Sequence, residues 1–132
     1  MLKIPENAKI REWPTSTSWI DKDGILYSIS KKGVAPPSLK DTKKSLEEFK
    51  EMVAGKKMCM LVDVTHSMES TRETRDYVAE EFPKYVKALA MVSDSALGKM
   101  LANLFFTLKK QPYPAKMFNN EQDAKTWLKQ YL

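Results

Sequence analysis

Hydrophobic and polar positions change period several times along the chain. Alternation is weak over Ala8–Trp13 but strand-like over Thr17–Ile20 and Ile25–Ser30. Between those runs, Asp21-Lys22-Asp23-Gly24 carries the turn chemistry of a hairpin. Lys31–Pro37 holds a glycine and two adjacent prolines, which stop the strand and leave Ser38 to cap a helix. Leu39, Leu46, Phe49 and Val53 then recur at helical spacing, with Lys43/Glu47 and Lys44/Glu48 on the outer face and an end at Gly55.

Met58–Val64 is nearly continuous in apolar residues, the pattern of a strand covered on both faces in a parallel sheet. Ser70 with Glu73 has the capping-box spacing, which predicts a second helix from Ser70 toward Phe82-Pro83. Ala88–Val92 is a second buried strand, and Ser93-Asp94-Ser95 caps a helix whose stripe is Leu97, Met100, Leu101, Leu104, Phe105 and Leu108. Gln111-Pro112-Tyr113-Pro114 breaks it. Ala115–Phe118 is a short last strand, and Asn119 or Asn120 caps a helix that puts Ala124, Trp127, Leu128 and Tyr131 on one face. The order is a β-hairpin followed by alternating helices and strands. It predicts one α/β layered domain over residues 1–132, with a mixed sheet whose central strands are parallel.

Composition narrows the partners. The net charge is +5, but lysines and acids interleave along Lys40–Glu51 and Asp123–Lys129, a solvated mixed-charge surface rather than a nucleic-acid stripe. The apolar runs are far below the roughly 20 residues of a bilayer span, and the N-terminus lacks the apolar core of a signal peptide. The single cysteine, Cys59, sits in an apolar run and reads as a buried thiol in a reducing compartment, so a cytoplasmic location is expected.

The chain resembles the small bacterial SpoIIAA-like proteins, relatives of the STAS (anti-sigma-factor antagonist) and CRAL-TRIO folds. The likeness rests on Trp19–Leu26 in the hairpin, Leu61-Val62-Asp63, Thr71–Tyr77 and Ala88-Leu89-Ala90. It continues through Asn103–Phe106, Pro112-Tyr113-Pro114, Phe118 and Ala124–Leu128. The resemblance implies a non-enzymatic regulatory or binding role, through a protein partner or a small apolar or anionic ligand. Some STAS-like domains are switched by phosphorylation at the helix after the Asp-bearing strand, which makes a phospho-regulated switch in the Asp63–Ser70 region the alternative. The STAS antagonists read Asp-Ser-Ser-Gly there, whereas this chain has Glu69-Ser70-Thr71-Arg72, without the glycine and with an added cation.

Candidate sites follow from where parallel strands end, because helix N-termini there present free N–H groups. Asp63, Thr65, His66, Ser70, Thr71 and Arg72 flank the first such end, Ser95 the next and Asn119 the last; the simpler reading is that the hydroxyl and amide residues are caps. Phosphate on Ser70 or Thr71 would meet N–H groups with Arg72 or Arg75 nearby. Asp63 as a general base and a Cys59/His66 pair are the enzyme alternatives, but no nucleophile, base and oxyanion set assembles. No cofactor or metal is expected, since His66 has no companion ligands and the glycines are scattered. Phe106, with Lys99 and Asn103, lies opposite the apolar stripe of its helix and predicts a homodimer interface.

Overall fold

Asp21 closes the first hairpin. Its Oδ1 accepts the backbone N–H of Asp23 and of Ile25, each at 2.9 Å, and Gly24 turns the chain at φ 83°. The computed structural model describes residues 2–35, 38–66, 71–93, 95–96, 99–100 and 112–132. Around this turn run β2 (Ser16–Ile20) and β3 (Leu26–Ser30), and β1 (Arg11–Glu12) pairs antiparallel with β2. Sequence pattern does not reveal β1, because two residues are too few to show a period. Then come α1 (Leu39–Val53), β4 (Met58–Asp63), α2 (Arg72–Glu81) with a 3₁₀ turn at Phe82–Lys84, β5 (Val86–Val92), β6 (Ala115–Phe118) and α3 (Glu121–Leu128).

The sheet has the order β1-β2-β3-β4-β5-β6, antiparallel up to β3 and parallel from β3 to β6. The crossovers through α1 and α2 each step one strand in the same direction, so a common hand puts both helices on one face. Leu46, Phe49 and Val53 of α1, with Tyr77 of α2, pack there against Leu26, Met60, Leu89 and Met91. On the other face Ala124 and Leu128 of α3 cover Cys59, Leu61, Ala88, Ala90 and Val92, with Leu2 packed against the same cluster. Trp19 and Tyr27, register partners on β2 and β3, stack on that face at 5.2 Å. Lys125 then ties α3 to the hairpin turn, 3.5 Å from Asp21 and 3.4 Å from Asp23.

The caps refine the expected boundaries. Ser38 caps α1 as expected, its Oγ accepting from Asp41 N–H, and Asn120 rather than Asn119 caps α3 by accepting from Asp123 N–H at 2.8 Å. The α2 cap is Thr71, not Ser70: Thr71 Oγ1 accepts the Thr74 N–H at 3.3 Å and shares a hydrogen with Thr74 Oγ1 at 2.9 Å. The physical reason is burial, since Thr74 is 3% exposed and its hydroxyl requires a partner one helical turn away. Strand β5 starts at Val86, two residues before the expected start, across a register irregularity at Met58/Cys59. Met100, expected on an apolar stripe, is 57% exposed; the rest of that stripe, with Ser70, Asn103 and Phe106, lies outside the described residues.

Two predictions follow from these packing facts. Ala54, not Gly55, is the first left-handed residue after α1, at φ 54°, and it is exposed. Ala54→Gly is expected to stabilise the fold by about 0.5–1 kcal/mol in urea denaturation, and a loss of stability would refute the strain argument. Burial also pushes the Tyr113 phenol up to about 12. The folded state therefore holds this proton after the unfolded chain has released it near pH 10, and stability is lost as pH rises from about 10 through about 12. Urea midpoints for Tyr113→Phe should fall less steeply over that range than those of the parent; equal slopes would clear Tyr113.

Candidate functional site

The face of the sheet under α1 and α2 is filled at one end and trimmed at the other. Register places Leu26 beside Met60, and Met60 beside Leu89, a row of bulky side chains. One step toward the carboxyl ends of the parallel strands, Ser18 pairs with Ser28 and Ser28 with Val62; one step further, Ser16 pairs with Ser30. Helix α1 repeats the trimming. Its buried contacts are Leu46, Phe49 and Val53, while the turns before them offer Thr42 and Ser45.

Small hydroxyl side chains on both layers leave a cavity of about 350 Å³ between the sheet and the two helices. Ser16, Ser18, Ser28 and Ser30 line its floor, α1 contributes Thr42, Ser45, Leu46 and Phe49, and α2 contributes Thr74, Tyr77 and Val78. Trp13, Lys31, Val34, Asp63 and His66 complete the lining. The cavity is a cleft partly open to solvent, with Pro14, Ala35 and His66 exposed at its rim. Its volume falls within the range of small-molecule sites, roughly 300–1,000 Å³.

The polar groups are held from behind. The Trp13 indole N–H donates to Ser18 Oγ at 3.0 Å, and the His66 backbone N–H donates to Ser30 Oγ at 3.0 Å. The Lys31 ammonium lies 2.7 Å from the Glu12 carboxylate, and that hydrogen bond holds the Glu12 carboxyl below the usual range. Asp63, 5% exposed, uses Oδ1 to accept the Thr65 N–H at 2.8 Å, which turns the chain at the end of β4. Lys43 stands 5.5 Å over the ring of Tyr77, whose phenol is shifted up chiefly by desolvation.

The expected site residues fall into two groups. Asp63 and His66 line the cavity and Thr65 lies between them in the chain; Thr71 is engaged as a cap, and Arg72 extends outward with its Nε 3.9 Å from Asp76. Ser95, Lys99 and Asn119 gather at the β5 and β6 ends instead: the Lys99 N–H donates to the Ser95 carbonyl at 3.1 Å, and its ammonium donates to Asn119 Oδ1 at 3.3 Å. The strand order is sequential, and the cavity lies between the sheet and the helices toward the carboxyl ends of β3 and β4, where Ser30, Asp63 and His66 stand. Cys59 packs on the opposite face, against α3, and burial pushes its thiol up. Among the described residues no group of three or more His, Cys, Asp or Glu could hold a metal, and no helix is long and apolar enough to cross a membrane.

Sequence reasoning missed the floor itself. Its signal is present as serine at every second position of two adjacent strands, Ser16/Ser18 and Ser28/Ser30, facing away from Trp19 and Tyr27.

No curated protein matches the chain in sequence. Among solved structures, the chain is similar to an uncharacterised DUF3478-family protein with a SpoIIAA-like fold from Shewanella loihica PV-4. The TM-score is 0.55 at 16% identity, covering 92% of this chain and 91% of that one, which establishes the fold alone. The profile of DUF7793, a domain of unknown function, matches residues 18–132, spanning every element from β3 to α3 and most of β2, and the chain therefore belongs to that family.

Proposed function

We propose that this protein is a non-enzymatic binding module for a small organic ligand, held between the sheet and helices α1 and α2. The observation that supports this reading is the cavity of about 350 Å³, floored by serine where the neighbouring row carries leucine and methionine. Serine at these positions keeps small polar groups on an apolar-lined cleft that larger aliphatic side chains would close.

The chemistry of the lining favours binding over turnover. Asp63 Oδ1 accepts the Thr65 N–H, and among the described residues no hydrogen bond joins a serine hydroxyl of the floor to the side chain of Asp63 or His66, the pairing that would activate a nucleophile. The lining otherwise offers shape, apolar surface and hydroxyl groups, the ingredients of selective retention.

Native mass spectrometry of protein purified from its own cells tests this directly. The folded chain is expected to carry a small organic molecule that unfolding releases. Ser28→Leu, which places a bulky side chain on the floor, is expected to lose that molecule while keeping its thermal midpoint. Bare chain in every preparation, together with a protein retained in a pull-down, would move the function to a partner surface.

A further inference from the structure

Resting on the cavity as a ligand site, we infer that its ligand is uncharged and carries a hydrogen-bond acceptor oxygen, of carbonyl or ether type, seated on the hydroxyl of Ser18. A serine hydroxyl has one hydrogen to donate and two lone pairs to accept with. Ser18 Oγ already accepts the Trp13 indole N–H at 3.0 Å, and Ser30 Oγ accepts the His66 backbone N–H at 3.0 Å. An N–H on the oxygen steers the hydroxyl hydrogen elsewhere, and among the described residues neither Ser18 nor Ser30 has an acceptor for it.

Ser18 is 4% exposed, so an unmet donor there costs more than one at the surface. The floor is thereby biased toward donating, and a ligand that accepts completes it. Trp13 fixes that bias, because an indole N–H can only donate. Ser30, diagonal to Ser18 across the β2–β3 pair and beside the loop that begins at Lys31, offers a second donor for a ligand with a second oxygen.

Charge is disfavoured for a separate reason. The Lys31 ammonium that could balance an anion lies on Glu12 at 2.7 Å, and Asp63 Oδ1 accepts the Thr65 N–H. A charged ligand would shed water on entering this apolar-lined cleft without a free counter-charge from Lys31. An apolar body with a neutral oxygen meets no such cost.

A matched pair of rigid probes tests the inference: tetralone, which has a carbonyl, and tetralin, the same bicycle without it. Titrations followed by the Trp13 indole N–H resonance are expected to show tetralone binding about tenfold tighter, the worth of one added hydrogen bond. Ser18→Ala should remove that preference, bringing the two probes to equal affinity, and Ser18→Thr, which restores a hydroxyl on a β-branched strand residue, should recover it. Equal affinities in the parent, or a preference that survives Ser18→Ala, would overturn the acceptor assignment and leave the cavity as a ligand site. Failure of both probes to move the Trp13 resonance would overturn the ligand site as well.

Discussion

Parallel pairing of β3, β4 and β5 is the constraint from which the rest follows. Parallel neighbours require crossovers, and crossovers of one hand stepping in one direction put α1 and α2 on the same face. The opposite face of β4 and β5 is just as apolar, with Cys59, Leu61, Ala88, Ala90 and Val92, and without α3 it would meet water. The final helix is therefore a requirement of the sheet. Lys125, bonded to both acids of the hairpin turn, fixes how that cover sits.

Within that frame the two faces are used differently. The α3 face is closed by aromatic and aliphatic packing, from the Trp19–Tyr27 stack to the fully buried Leu128. The face under α1 and α2 is solid at the row of Leu26, Met60 and Leu89 and open at the serine rows. A cavity confined to one end of one layer costs stability locally and leaves the central ladder intact. This division lets a small domain hold both a firm core and an internal site.

The element order was legible because each element carries its own period or cap. Ser38, the Asp21 turn and the continuous apolar run of β4 are local signals, and local signals survive in a linear sequence. Thr71 displaced Ser70 as a cap because a buried hydroxyl on Thr74 needed a partner, a demand created only when α2 docks. Strand β1 exists through its pairing with β2 and has too few residues to announce itself. Asp63 and His66 stand at and just past the end of β4, where they line the cleft between the sheet and the two helices.

By itself, the sequence determined the class of fold, the hairpin, the buried central strands and the capped helices, because spacing and turn chemistry act over a few neighbouring residues. It also contained the alternating serines. Whether those serines would lie on an open sheet face, where they are ordinary, or beneath helices, where they floor a cleft, depended on which side α1 and α2 took. Only the tertiary structure decided that, since the covering of a face is set by crossovers and register between segments far apart in the chain.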